Sequence, residues 1–162
     1  MGALSIVPAT ESDVPAILEL IRALAEYEGL AHCVVATEQR LRQTLFGPKP
    51  AAEVLLAYWE RECAGFAVFF ETYSTFLAQP GLYLEDLYVN PRLRSRGIGF
   101  ALLKELAGIS AQRNCGRLEW SVLDWNRPAI QFYEKLGAAP LDGWTKWRLT
   151  GAALENLVSF AP

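Results

Sequence analysis

Residues 82–99 read LYLEDLYVNPRLRSRGIG and form the most informative stretch of the sequence. The first eight residues are rich in apolar and aromatic side chains and predict a strand, which Asn90-Pro91 ends. From Gly97 to Arg113, apolar residues recur at three- and four-residue spacing, which predicts a helix. The stretch is therefore a strand, a short loop and a helix.

The loop between this strand and this helix has the composition of an anion site. Its glycines let the backbone approach a ligand closely, and the free N–H groups and positive dipole end of a helix attract anions. Between Asp86 and Glu105 there is no acidic residue, and three arginines stand there: Arg92, Arg94 and Arg96. The loop predicts a site for a phosphate-bearing ligand, and the alternative is an arginine-rich solvated turn.

Two common nucleotide motifs do not fit this loop. Leu102 stands where a dinucleotide fingerprint needs its third glycine, and no Gly-Lys-Ser/Thr sequence follows to make a Walker loop. The predicted ligand therefore carries phosphate without dinucleotide or nucleoside-triphosphate chemistry.

Outward from this stretch, the sequence alternates strands and helices. Strands are predicted over 5–7, 54–59, 63–73, 82–89, 117–122 and 144–149, and helices over 10–29, 37–47, 97–113, 126–136 and 150–157. The strands before residue 90 form a meander, and the helix after it makes a parallel crossover. We expect one domain over 1–162 of the α/β class, with a mixed, mostly antiparallel central sheet and helices on both faces.

Composition excludes several classes of protein. The chain has 162 residues, is 52% hydrophobic and carries a net charge of −3, which argues against disorder and against a nucleic-acid binder. One histidine and three cysteines without CxxC spacing offer little for a metal centre, a Ser-His triad or a disulfide framework. The longest apolar run, 63–70, is too short to span a membrane. We expect a cytoplasmic protein.

A second motif opens the next predicted helix, where residues 126–133 read NRPAIQFY. Asn126 can cap this helix, and Pro128 fits its first turn, where a missing N–H costs little. Asn126 and Tyr133 are seven residues apart and lie on nearly one face, about 10 Å apart along the axis. Tyr133 is either a ligand-facing phenol or, like Phe132, an ordinary core aromatic.

Together these motifs resemble a known family. Arg94-x-x-Gly97-x-Gly99 after the strand, followed by Asn126-x-Pro-Ala-Ile-x-Phe-Tyr133 and Gly137, is similar to the GNAT acyl-CoA-dependent N-acetyltransferases over nearly the whole chain. Short matches at 8–10, 27–28, 83–86 and 147–149 resemble the diamine acetyltransferase branch, which contains the spermidine/spermine and thialysine enzymes.

The resemblance implies a co-substrate, acetyl-CoA, and the residues that would hold it. The pyrophosphate would lie on the loop, at Arg94, Ser95, Arg96, Gly97, Ile98, Gly99 and Phe100. The pantetheine would run along the strand end at Leu87, Tyr88 and Val89, and Asn126, Pro128 and Ala129 would also contact it. The resemblance further implies a homodimer, with the segment 144–157 at its interface, and no metal.

N-acetylation needs proton transfers, because an aliphatic ammonium has a pKa of about 10.4 and must lose a proton. Tyr133 matches the family's tyrosine and is the candidate acid for the leaving thiolate. Glu85 is the candidate base, acting through water. Strand alternation puts Tyr83, Glu85 and Leu87 on one face and leaves Asp86 as a structural acceptor unless the strand bulges.

The candidate amine site begins at Tyr27-Glu28, which resemble the branch's amine-binding pair and are otherwise a solvated helix end. The stretch 29–33 lacks the acidic residues of the polyamine enzymes, and Phe76 stands where those enzymes have a tryptophan. Fewer carboxylates attract a tri- or tetracation less strongly. We therefore expect a small primary amine as substrate, either a diamine or a lysine-like amino acid.

The expected reaction is direct attack of the amine on acetyl-CoA. No cysteine has a paired histidine at motif spacing, so nothing favours a covalent acyl-enzyme. The alternative function is a non-catalytic acyl-CoA-binding sensor or partner subunit on the same fold.

Overall fold

The computed structural model describes residues 3–159. The strands are β1 (Leu4–Pro8), β2 (Glu53–Trp59), β3 (Glu62–Ser74), β4 (Gln79–Val89) and β5 (Leu118–Trp120). The α-helices are α1 (Val14–Tyr27), α2 (Glu38–Leu45), α3 (Ile98–Gln112), α4 (Arg127–Lys135) and α5 (Gly151–Ser159).

The strands form a sheet in the order β1-β2-β3-β4-β5. The first four are antiparallel neighbours, and β5 runs parallel to β4 after the α3 crossover. The parallel pairing is short, joining Leu82–Leu84 to Leu118–Trp120. The predicted mixed, mostly antiparallel sheet is confirmed, and β4 is the strand at which the direction of pairing changes.

The chain divides into two compact units, Met1–Ser121 and Val122–Pro162. The first unit contains the whole sheet with α1, α2 and α3. The second contains α4 and α5.

In the first unit, α1 buries one apolar face against the sheet. Ile17 and Leu20 pack with Leu56, Phe66 and Tyr88 in one buried cluster. On α3, Leu102 and Leu106 are completely buried, and the helix packs against β1 to β4. The sheet therefore holds β4 rigidly, which fixes the position of the loop that follows it.

One predicted strand is wrong. Residues 144–149 have no regular structure, and Trp144 and Trp147 are 82% and 90% exposed. A strand needs a hydrogen-bonded neighbour, and no strand within residues 3–159 pairs with this segment. The β-prone residues of this segment, two tryptophans and a threonine, were therefore insufficient to predict a strand here.

Two other strands differ from the prediction by three residues in length, more than the rest. β4 begins at Gln79 rather than at residue 82, because residues 79–81 continue the ladder with residues 72–74. β5 covers three residues instead of the six predicted.

No helix between residues 3 and 159 is long and apolar enough to cross a membrane. In the same described part of the chain, no group of three or more His, Cys, Asp or Glu side chains could hold a metal ion.

Candidate active site

The loop between β4 and α3, residues 92–99, is here called the arginine loop. Ser95 and Gly97 both have positive φ, at 62° and 79°, so the backbone turns sharply before α3 begins. Gly97 is the N-cap of α3 and, having no side chain, provides no cap for the first N–H groups of the helix. Those donors and the positive end of the helix dipole are the features of a backbone anion site. The arrangement fits a phosphate group.

The three arginines of this loop contact three different elements. Arg92 forms an exposed ion pair with Glu62 at 3.4 Å. The guanidinium of Arg96 lies 5.2 Å from the ring centroid of Trp59. Arg94 donates from Nε to the backbone carbonyl of Val89 at 3.1 Å, and its other contacts reach α1. The sequence pattern located these arginines but gave no sign of their partners.

A β-bulge interrupts β4 at Glu85. Asp86 pairs with Val68 and Leu84 pairs with Phe69, so Glu85 is an extra residue without a partner on β3. A bulge breaks the alternation of side chains and brings two consecutive residues toward one side. Strand alternation required a bulge for Glu85 and Asp86 to serve the same pocket, and the strand has one.

The bulge also changes which residues of β4 share a face. Tyr83 pairs with Phe70 and Asp86 pairs with Val68, two residues apart on β3, so Tyr83 and Asp86 share a face. Leu87 follows Asp86 and lies on the opposite face. The expectation that residues 83, 85 and 87 share one face is therefore wrong for Leu87, because simple alternation stops at the bulge.

Asp86 lies within electrostatic range of two other carboxylates, its neighbour Glu85 and Glu28 at the end of α1. These three residues are here called the carboxylate face. Burial first, and then the charges of Glu85 and Glu28, raise the pKa of Asp86 to about 6. Burial also raises the pKa of Glu28. Within residues 3–121 no ion pair includes any of the three. The face therefore concentrates negative charge that a cationic ligand would neutralise.

The end of α1 brings the predicted amine pair to this region. Tyr27 is the last residue of α1, and its ring packs against the buried cluster beneath that helix. Glu28 caps the helix, with its backbone N–H bonded to the Leu24 carbonyl at 3.0 Å. Both side chains are half-buried. The solvated helix end considered from sequence does not describe them.

The residues predicted along the pantetheine differ in their surroundings. The Tyr88 side chain is 8% exposed and belongs to the core, so its backbone is the part left for a ligand. Val89 is half-buried, and its carbonyl accepts the bond from Arg94. Ile98 is 1% exposed and anchors α3, whereas Phe100 is 51% exposed.

The second unit carries the remaining predicted residues on α4. Asn126 accepts a hydrogen bond from the Ala129 N–H at 3.4 Å, which confirms the predicted cap, and Pro128 lies in the first turn. The rings of Phe132 and Tyr133 have centroids 5.4 Å apart. Tyr133 lies near the end of the same helix that Asn126 caps.

Sequence reasoning left Asp86 open and gave no role to the contact of Trp59. Asp86 was expected to be a structural acceptor unless the strand bulged, and the bulge is present. Two adjacent acidic residues inside an apolar strand are the signal that could have indicated a bulge. Nothing in the sequence links Trp59 to Arg96, because 37 positions separate them.

Comparisons with known proteins agree with this geometry. The Acetyltransferase (GNAT) family matches residues 16–138. A mouse thialysine N-epsilon-acetyltransferase is 36% identical over 168 residues, covering 97% of this chain and 98% of that protein. The Arabidopsis thaliana L-ornithine N5-acetyltransferase NATA1 is 34% identical, covering 92% of this chain and 85% of that protein.

A solved structure has the same architecture. An integron cassette protein from the mobile metagenome of V. cholerae superposes with a TM-score of 0.81 at 25% identity, covering 97% of this chain and 98% of that one. The resemblance noted from the motifs, including the similarity to the thialysine enzymes, is confirmed, as is the interpretation as an enzyme. The chain belongs to the GNAT acetyltransferase family and is an N-acetyltransferase.

Proposed function

We propose that this enzyme transfers an acetyl group from acetyl-CoA to the terminal amine of a small diamino compound by direct attack. One observation carries the proposal: β4 ends in the arginine loop and, four residues before its end, bulges to form the carboxylate face. A single strand thus joins an anion site to a cation site, as a phosphate-bearing donor and an ammonium acceptor require.

The arginine loop supports acetyl-CoA as the donor. The uncapped N–H groups at the start of α3 and the positive-φ residues Ser95 and Gly97 would hold its pyrophosphate. The backbone of Leu87 and Val89 would hold the pantetheine and the thioester carbonyl, and Asn126, Pro128 and Ala129 would add contacts from α4. When bound, acetyl-CoA supplies an activated acetyl thioester.

Glu85 and Tyr133 would move the protons. Glu85 removes one proton from the substrate ammonium, through water, so that the amine lone pair becomes available. The Tyr133 hydroxyl gives its proton to the departing thiolate, since a phenol has a reference pKa of about 10, and the phenolate regains a proton from the nitrogen of the newly formed amide, which must lose one to become neutral. Tyr27 and Glu28 would flank the substrate ammonium with a ring and a carboxylate.

The substrate class follows from the relatives and from the charge of the carboxylate face. The mouse and Arabidopsis relatives are named for thialysine and L-ornithine, both diamino acids with a terminal amine. Residues 29–33 contribute no carboxylate, which favours a short acceptor over a tetracation such as spermine. We propose a lysine-like or ornithine-like amino acid, with a simple diamine as the second candidate.

Assembly, compartment and domain organisation are also proposals. A homodimer is supported by the exposed apolar side chains of the C-terminal segment, among them Trp144 and Trp147. A reducing, cytoplasmic location is supported by three free cysteines. A single catalytic domain over residues 1–162 is supported by the family match, because that match crosses the boundary between the two compact units.

A thiol-release assay with acetyl-CoA tests the proposed reaction. Thialysine, L-ornithine, putrescine and spermidine are compared as acceptors, and the diamino acids should give the highest kcat/KM. Tyr133→Phe should lose turnover while its affinity for CoA, measured by calorimetry, stays the same. Intersecting lines are expected when amine and acetyl-CoA are varied together.

Three outcomes would contradict the proposal. Absence of amine-dependent thiol release would mean that acetyl-CoA is not the donor or that small diamino compounds are not the acceptors. Parallel lines would indicate a covalent acyl-enzyme instead of direct attack. A Tyr133→Phe variant with full turnover would remove Tyr133 from the proton path.

A further inference from the structure

The Arg94 side chain contacts residues outside the arginine loop. Its Nε donates to the Val89 carbonyl at 3.1 Å, at the very end of β4. Its Cζ lies 4.5 Å from the ring centroid of Tyr27 and 6.0 Å from that of Tyr88. One guanidinium therefore touches the strand end, the buried core and the last residue of α1.

These contacts are specific to Arg94 within the loop. Arg92 pairs with Glu62 on β3, and Arg96 lies over Trp59 on β2. In the described part of the chain, the contact between this loop and α1 is made by Arg94. A guanidinium within about 6 Å of an aromatic ring is attracted to its face, and the attraction grows as water is excluded. The half-buried Tyr27 ring is such a partner.

Tyr27 is covalently tied to the carboxylate face, because Glu28 is the next residue. Glu28 is itself fixed by its backbone bond to Leu24, and its charge contributes to the raised pKa of Asp86. A shift of the Tyr27 ring would therefore shift a carboxylate of the amine site. Arg94 therefore connects the arginine loop, which attracts anions, with the carboxylate face, which attracts cations.

Loop conformation sets the position of this link. Ser95, which follows Arg94, has a φ of 62°, a left-handed conformation that a side chain disfavours. An anion held by the N–H groups after it would stabilise this conformation and would keep Arg94 in place against Tyr27. The first ligand to bind would then restrict the motion of Arg94 and Tyr27. The second ligand would lose less conformational entropy on binding, which favours positive cooperativity.

We propose that Arg94 is a positioning residue that couples the two binding sites through Tyr27, so that occupancy of the arginine loop tightens amine binding. The proposal rests on the proposed function, since it assumes CoA at the loop and an amine at the carboxylate face. By linkage the coupling is reciprocal, so the amine tightens CoA binding by the same factor.

Calorimetry with CoA and L-ornithine tests the coupling without turnover. In the wild-type protein, saturating CoA should lower the Kd of L-ornithine about 5-fold or more, the usual lower range for coupled sites. In Arg94→Gln the Kd should be the same with and without CoA. Arg92→Gln, which changes an arginine of the same loop that contacts Glu62, should keep the wild-type factor.

A second pair of variants isolates the ring. Tyr27→Phe keeps the aromatic face and should keep the coupling, whereas Tyr27→Leu should lose it. A double-mutant cycle of Arg94→Gln and Tyr27→Leu on the free energy of unfolding should be non-additive, because the two side chains are in contact. The cycle needs no ligand. A non-additive change in the free energy of unfolding indicates a lost contact between the two side chains, whereas additive changes indicate two independent losses of stability.

The outcomes distinguish this inference from the function on which it rests. If the wild-type protein binds no CoA, the proposed function fails. If it binds CoA but shows no coupling, or if Arg94→Gln keeps the full factor, this inference alone is overturned. If Arg94→Gln loses CoA affinity and leaves the coupling factor unchanged, Arg94 is a phosphate ligand and not a positioning residue.

Discussion

The arginine loop and the carboxylate face are built in opposite ways. The loop is continuous in sequence, and its anion site consists of backbone N–H groups that two left-handed residues orient. The carboxylate face combines the end of α1 with a bulge in β4, 57 residues later, and consists of side chains. A site made of backbone N–H groups tolerates changes of side chain but not of backbone conformation. A site made of carboxylates depends instead on the identity of its side chains.

The largest expected effect comes from the carboxylate face. Glu85→Gln removes the candidate base while keeping the shape of the side chain, so kcat should fall by about 100-fold or more. The KM for acetyl-CoA should stay the same, because the Glu85 side chain belongs to the carboxylate face and is not among the backbone groups proposed to hold the pyrophosphate. Steady-state kinetics at saturating amine measures both quantities.

Asp86→Asn is the matched control for this variant, since it changes the neighbouring carboxylate on the same bulge. A larger loss of kcat in Asp86→Asn than in Glu85→Gln would transfer the role of base to Asp86. The pKa of Asp86, raised to about 6, is closer to neutral pH than that of an ordinary carboxyl group, as a general base requires, so Asp86 is a real competitor for this role.

A change of backbone conformation should be the most damaging change in the arginine loop. Gly97→Ala introduces a side chain at a φ of 79°, which costs about 1–2 kcal/mol in a left-handed conformation. A Cβ there would meet no atom within 4 Å, so the cost is conformational and not steric. The affinity for CoA should fall about 10-fold, since about 1.4 kcal/mol corresponds to that factor.

Gly108→Ala provides the control for Gly97→Ala. Gly108 lies inside α3, and a Cβ there would also meet nothing within 4 Å. Alanine is the better helix former by about 1 kcal/mol, so this variant should be stabilised with unchanged CoA affinity. Equal loss of CoA affinity in both variants would refute the role of the left-handed turn.

The two regions also explain how far the sequence could predict the structure. The position of the loop was predicted correctly, because strand, loop and helix are consecutive and their signals are local. The Asn126 cap was predicted for the same reason. The phosphate chemistry of the loop stays a prediction. The bulge was left open, since it depends on the register between Val68 and Asp86, which composition does not determine.

Long-range contacts account for the rest of what the sequence could not predict. The contact between Arg94 and Tyr27 joins positions 67 residues apart, and only the fold brings them together. The segment 144–149 contains two tryptophans and a threonine, which are typical of strands, yet composition does not supply a neighbouring strand. Partners distant in sequence were inaccessible to pattern reasoning in both cases.

The pH dependence of stability should reveal the unpaired charge of the carboxylate face. Because the folded pKa of Asp86 is about 6, above its ordinary value, ionisation costs more in the folded state than in the unfolded state. Stability should therefore be lost as pH rises through the window from the unfolded pKa to about 6. Asp86→Asn removes this cost and should be more stable than wild type at pH 7 by about 1 kcal/mol, after allowance for solvent screening.

Urea unfolding at several pH values measures this difference. The two proteins should converge below about pH 4, where Asp86 is protonated in both states. A wild-type protein more stable than Asp86→Asn at pH 7 would mean that a cation neutralises the face.

The smallest expected effect lies at the fork where β5 leaves β4. The hydroxyl of Tyr83 bonds to Ser121 Oγ at 2.7 Å, one residue beyond the last paired residue of β5. Tyr83→Phe removes this bond and keeps the ring that lies 5.4 Å from Phe70, so it should cost about 0.5 kcal/mol, the low end for an exposed hydrogen bond. Tyr73→Phe, at a 62% exposed tyrosine, should leave the free energy of unfolding unchanged. Equal losses in the two variants would mean that the Tyr83–Ser121 bond does not stabilise the end of the β4–β5 pairing, because an exposed tyrosine hydroxyl without this bond would then matter as much.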